Sequence, residues 1–299
     1  MGIIPYSASK VDLLYPARSG NFFPAGMPKS EAALCAEMAR LAYYRQDPYF
    51  QFDREKIRSV LKPFGFDCLF FESKGTPDGR GTHGFLASSD NWEEGKSLAI
   101  VVFRGTDASD PTDLAADVEC LQIKWRGLGR VHKGFAEELE HVLPDLELAL
   151  EGVKGRMLFT GHSLGAAMAT LLCGIKPPGS LYTFGSPRVG DVEFVRALQG
   201  VVPYRFVNCC DIVARMPPEL SGTFSYIHFG GPHYINRRGE VATDLSDETF
   251  EKDRILAAGE YLAEYGWRTG NVSVRELADH APINYVNAVA CSSSIGHTI

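Results

Sequence analysis

Nowhere does the chain contain the run of about 18 apolar residues that crosses a bilayer as a helix, so no transmembrane segment is expected. Positive charge is not in surplus: 30 Lys and Arg stand against 37 Asp and Glu, a net charge of −7. A phosphate backbone is gripped by basic surface, and that balance argues against nucleic acid as a partner. Signatures of metal and cofactor binding are missing too, with no H-E-x-x-H, no phosphate-cradling glycine loop and no clustered Cys/His set, so no cofactor and no metal are expected. The 7 cysteines are odd in number and irregularly spaced, and Cys209-Cys210 is not a C-x-x-C pair. Reduced, buried thiols are the expectation. The opening MGIIPYSASKVDLLYPARSG has no basic start followed by an apolar stretch, so it is not a standard signal peptide, and a cytoplasmic location is expected. Met1-Gly2 with Ser7 fits a myristoylation pattern only loosely.

What is present is an ordinary globular composition, 45% hydrophobic and 22% charged, able to bury a sizeable core. With no repeat, low-complexity tract or Pro/Ser-rich linker, residues 1–299 read as one domain. Residues 30–44 have helical spacing, with Leu34, Met38, Leu41 and Ala42 on one face and Ser30 placed to cap. Short apolar runs of β character follow at 66–72, 83–87 and 98–103. The pattern then alternates: helix 133–151, strand 156–160, helix 164–174, strand 180–184, helix 191–199, strand 204–209. Strands alternating with helices predict a mainly parallel sheet covered on both faces. After Asp211 the segment SYIHFGGPHYINRRGEV predicts two or three short antiparallel strands, and helices near 247–265 and 282–291 close the chain.

The chemistry centres on Gly161-His162-Ser163-Leu164-Gly165, a G-x-S-x-G pentapeptide. The buried-strand pattern MLFT precedes it and the helical AAMATLLCGI follows. A nucleophile elbow needs that strand–turn–helix order: a sharp turn lifts the hydroxyl clear of the sheet at a helix N-terminus, where backbone N–H groups favour negative charge. The competing reading is a glycine-rich turn with Ser163 as a simple helix cap.

A serine hydroxyl needs a neighbouring base, usually a His oriented by a carboxylate. In elbow-bearing α/β enzymes the chain order is Ser, then Asp or Glu, then His, which leaves His228, His233, His280 and His297 as bases. His280 is preferred because it lies in a loop just before a helix that Pro282 would start, with His228 second. For the acid, Asp211 follows a strand-like run and enters a Pro-bearing loop at the edge where parallel sheets present functional side chains. Asp191, which immediately precedes VEFVRALQ, is explained by capping, and Asp244 and Asp247 stand further behind.

Taken together, AIVVFRGT (99–106), VHKGF (131–135), FTGHSLGAAMATLL (159–172), YTFGSPRVGD (182–191), RFVNCCDIVARMPP (205–218), YIHFGG (226–231) and DHAPINY (279–285) resemble, in order, the fungal-type triacylglycerol lipases, the class 3 lipases. The resemblance implies an α/β-hydrolase fold: a central, mostly parallel sheet with helices on both faces and a short lid segment. It implies the Ser163–Asp211–His280 triad and an oxyanion hole at the backbone N–H groups of Leu164 and Thr106. His132 and His162 match family positions as framework. The substrate implied is a lipid or other small-molecule ester, with transient contact at a lipid interface. The chain departs from the family at the lid, about 107–122. Leu114, Val118 and Leu121 form only a slim apolar face there among five acidic residues, which predicts weak activation by lipid interfaces.

Overall fold

A computed structural model describes residues 6–18, 26–46, 51–73, 81–93, 95–105, 121–218 and 225–292. Eight strands form one sheet: β1 (Asp67–Glu72), β2 (His83–Glu93), β3 (Lys96–Phe103), β4 (Arg156–His162), β5 (Ser180–Phe184), β6 (Val202–Asn208), β7 (Pro232–Ile235) and β8 (Val241–Ala242). They lie side by side in chain order. The β3–β4, β4–β5, β5–β6 and β6–β7 pairs are parallel; β1–β2, β2–β3 and β7–β8 are antiparallel.

The layers follow from the strand period of two. Along β3, Ile100 and Val102 join one apolar cluster, while Ala99, Val101 and Phe103 join another on the opposite face. A strand wrapped on both faces must be apolar at every position, which is why β3 reads as a continuous run rather than an alternation. On the first face lie α1 (Glu31–Leu41) and α6 (Pro282–Cys291), with Leu34, Met38, Val286 and Val289 in the cluster. The other face carries α2 (Lys133–Leu150), α3 (Leu164–Cys173) and α4 (Val192–Ala197). In α2 the buried Leu139, Val142, Leu143 and Leu146 recur at helical spacing, each contributing roughly 1.5–3 kcal/mol by leaving water. Ser30 Oγ caps α1 by accepting from Ala33 N at 3.2 Å. A last long helix, α5 (Asp247–Tyr261), runs into a π turn at Leu262–Gly266. The whole is an α/β-hydrolase arrangement.

One expectation needs correction. The segment after residue 225 is not an antiparallel unit: β7 continues the parallel sheet, with Arg205 opposite Pro232 and Phe206 opposite His233, and only β8 turns back. The glycines before Pro232 deliver the chain to the sheet edge instead of reversing it. At the lid, residues 106–120 lie outside the described residues, and with them Thr106, Leu114 and Val118. Gln122 opens a short strand, Gln122–Lys124, paired antiparallel with Arg130–His132. Among the described residues, no helix is long and apolar enough to cross a membrane.

Candidate active site

Ser163 sits between the end of β4 and the start of α3 with φ +59° and ψ −128°. A positive φ is strained for a side chain with a Cβ, and surrounding contacts must hold it there. Ser163 N donates to Phe184 O at 2.9 Å, and Ser163 O accepts from Ala166 N at 3.0 Å. The residue occupies the cap position of α3, yet its hydroxyl makes no capping bond. It lies 2.9 Å from His280 Nε2 instead.

His280 stands in the loop between a short helix, Arg275–Ala278, and α6. Its Nδ1 lies 2.9 and 3.0 Å from the two oxygens of Asp211. A carboxylate only accepts, so Nδ1 carries the proton and Nε2 is left to accept from the Ser163 hydroxyl. Asp211 enters the turn after β6, 1% exposed. Its Oδ1 also accepts from Val213 N at 2.9 Å and its Oδ2 from Tyr285 Oη at 2.5 Å. Sequence reasoning missed Tyr285, whose place on the apolar face of α6 reads as packing. The buried hydroxyl accepts from Asn208 N at 3.1 Å while donating to Asp211, and burial together with that carboxylate raises its pKa well above the usual phenol value.

Other side chains tie the loops together. Asp279, fully buried, accepts from Tyr6 Oη at 2.7 Å, from Cys210 N at 2.8 Å and from Arg275 Nε at 3.2 Å. It thereby joins the residue before His280 to the residue before Asp211. His162 donates from Nε2 to His280 O at 2.8 Å and accepts at Nδ1 from Tyr43 Oη at 2.8 Å. Burial, with His280 adding to it, lowers the pKa of His162 well below the ordinary histidine range. A neutral ring beside His280, with centroids 4.5 Å apart, adds no repulsion when His280 takes up a proton.

Of the remaining candidates, His297 lies outside the described residues and His233 lies on β7 opposite Phe206. His228 Nε2 bonds Ala214 O at 3.0 Å, and His132 caps α2 at Phe135 N. Asp191 caps α4, its Oδ1 accepting from Phe194 N at 2.9 Å. Asp244 sits at a turn with φ +58° and Asp247 in the first turn of α5. Leu164 is the first residue of α3. Among the described residues, Cys209, Cys210 and Asp279 bring three ligand-type atoms within 4.8 Å of one another. Asp279 is committed to the bonds above, and the bond with Cys210, then burial, holds the Cys209 thiol protonated.

Tyr285→Phe should leave the fold intact, remove one charge-assisted bond, worth about 1.5–3 kcal/mol, from Asp211, and leave the Asn208 N–H without its acceptor. A fall in kcat of roughly tenfold with KM nearly unchanged is expected; an unchanged kcat would reduce Tyr285 to packing.

Residues 100–221 match the family described as lipase (class 3). Over 189 residues the chain is 34% identical to a lipase of Rhizomucor miehei, covering 57% of this chain and 47% of that protein. Over 117 residues it is 34% identical to the secreted mono- and diacylglycerol lipase 1 of Fusarium solani, covering 36% of this chain and 34% of that one. The chain thus spans half or less of the length of these two relatives. The crystal structure of a lipase from Rhizopus microsporus var. chinensis shares the fold with a TM-score of 0.51 and 27% identity, covering 68% of this chain and 71% of that chain. These relatives overturn the expected cytoplasmic location, since the Fusarium solani protein is a secreted enzyme.

Proposed function

We propose that this chain, whose residues 100–221 match the class 3 lipase family, cleaves carboxylic esters of lipids through an acyl-serine intermediate. The observation that carries this reading is the 2.9 Å contact between Ser163 Oγ and His280 Nε2 at a strained elbow. Ser163 Oγ attacks the ester carbonyl as its proton passes to His280 Nε2, and Asp211 stabilises the resulting imidazolium. The oxyanion is held by backbone N–H groups of Leu164 and Thr106, each worth on the order of 3 kcal/mol. His280 then gives its proton to the departing alkoxide, leaving the acyl-serine. Water attacks this ester with His280 as base, and the carboxylic acid leaves. Residues 1–299 act as one domain, with the segment around 107–120 covering the site and meeting the lipid interface only transiently.

A fluorophosphonate probe tests the reading because it phosphonylates only an activated serine. One covalent adduct at Ser163, absent in Ser163→Ala, is expected. A folded wild-type protein that takes up no label would be a binding module and not an enzyme. Hydrolysis rates across p-nitrophenyl esters from acetate to palmitate would then define the acyl chain accepted.

A further inference from the structure

We propose that a cleft beside β6 and β7, lined by Arg188, Arg205, His228 and His233, binds a phosphoryl group. The cleft encloses about 860 Å³ at the sheet edge and is built from residues that the ester chemistry does not use. Arg205 is its anchor. The side chain is 8% exposed, its Nε donates to Gly230 O at 3.0 Å, and among the described residues neither Nη has a hydrogen-bond partner and no carboxylate pairs with it. A buried guanidinium without a counter-charge is costly, and its planar fork matches two oxygens of a phosphate.

The surroundings increase that cost. Burial and then the nearby Arg188 bring Arg205 down to about 10. Burial followed by Arg205 and Arg188 lowers His228 well below the ordinary range, and burial followed by Arg205 lowers His233. Two guanidiniums therefore share the cleft, and the two imidazoles beside them are pushed toward their neutral form. His233, whose ring also lines the cleft, has its Nδ1 buried with no hydrogen-bond partner. Arg254, which also lines the cleft, is already paired with Glu251 at 2.5 Å.

Other lining residues restrict the ligand. Asp244, Asp247, Glu251 and the ring of Phe250 also line the cleft, Asp244 near enough to His233 to favour its charged form, so a second anionic group on the ligand would be repelled. The volume far exceeds that of a bare phosphate ion. The ligand class is therefore a phosphate ester whose other end is neutral or cationic, as in an aminoalcohol phosphate. That chemistry occurs in soluble phosphate esters and in phospholipid headgroups.

The test is calorimetric titration of the full chain with inorganic phosphate and with phosphoethanolamine, with acetate as a control for carboxylates. Sedimentation with phosphatidylethanolamine–phosphatidylcholine vesicles forms a second arm. The expected result is saturable binding of both phosphates, phosphoethanolamine the tighter, with acetate at least tenfold weaker. Arg205→Gln should abolish it. Because that variant removes a buried charge and risks misfolding, His233→Glu provides the independent check. A carboxylate beside Arg205 should weaken phosphate binding at least tenfold and raise Tm in phosphate-free buffer. Vesicle binding that falls in His233→Glu assigns the site to a lipid headgroup. Vesicle binding that stays unchanged, with soluble binding lost, assigns it to a soluble ester. No saturable phosphate binding by the wild type, equal affinity for acetate, or phosphate binding unaffected by His233→Glu would overturn the proposal.

Discussion

Asp211→Asn should lower kcat by about 10⁴-fold while the protein remains folded, and His280→Ala should lower it at least as far. The Asn case follows from the hydrogen bonds around the carboxylate. Val213 N donates to Oδ1, Tyr285 Oη donates to Oδ2, and His280 Nδ1 reaches both oxygens. An asparagine amide has one oxygen and one NH₂. With the amide oxygen at the Oδ2 position the NH₂ meets the Val213 N–H, and with the oxygen at Oδ1 the NH₂ takes the place that accepts from Tyr285; in both it stands within reach of His280 Nδ1. Facing His280, it forces Nδ1 to accept and places the ring proton on Nε2, toward Ser163. The base then has no lone pair for the serine proton. His280→Ala removes the base outright. Because the three groups act as a unit, Ser163→Ala with His280→Ala should be no worse than either alone. Steady-state rates on a soluble p-nitrophenyl ester, alongside circular dichroism, decide the matter. A folded His280→Ala variant with wild-type kcat would overturn the base assignment.

The legible part of this fold is the part whose residues are constrained on two sides. In β3 and β4 every position faces a helix layer, so AIVVF and MLFT stand out as unbroken apolar runs, and the glycines around Ser163 mark the turn between strand and helix. The parallel placement of β7 was not legible. Among the described residues only a 3₁₀ turn, Val213–Arg215, lies between β6 and β7, too short to announce a crossover, and Gly230-Gly231-Pro232 reads as a reversal in any local pattern. Tyr43 and Tyr285 were hidden for another reason. An aromatic at a helical apolar position is normally packing, and only the fold shows that both hydroxyls point at groups around Ser163. The ion pair of Asp279 with Arg275 is likewise an ordinary i, i+4 spacing until the turn after β6 is seen against it.

The strongest effect on architecture is expected from one methyl group at Gly165, read against the same change at Gly259. A Cβ on Gly165 would lie 2.3 Å from Phe103 O and 2.8 Å from Arg104 C. Both are backbone atoms at the end of β3, in the middle of the sheet, and neither can swing aside as a side chain would. Gly161 is equally confined, since its Cβ would meet Gly165 C at 2.3 Å. The elbow and the β3 terminus must therefore separate in Gly165→Ala. That moves the Leu164 N–H on one side and, on the other, the chain leading from Arg104 into Thr106, the two proposed oxyanion donors. Overpacking of this kind costs about 1–3 kcal/mol. At roughly 2 °C per kcal/mol for a chain of this size, Tm should fall by about 2–6 °C. A donor displaced by an ångström costs on the order of 10²-fold in kcat. Gly259 lies on the exposed side of α5, and a Cβ there meets nothing within 4 Å. Gly259→Ala replaces a poor helix former with the best one and should stabilise by about 0.5–1 kcal/mol, raising Tm by one or two degrees with kcat unchanged. Opposite signs from one chemical change would locate the effect in the close approach of α3 to β3. If Gly165→Ala kept both Tm and kcat, the elbow would have room that the geometry denies, and the proposed oxyanion donors would not depend on it.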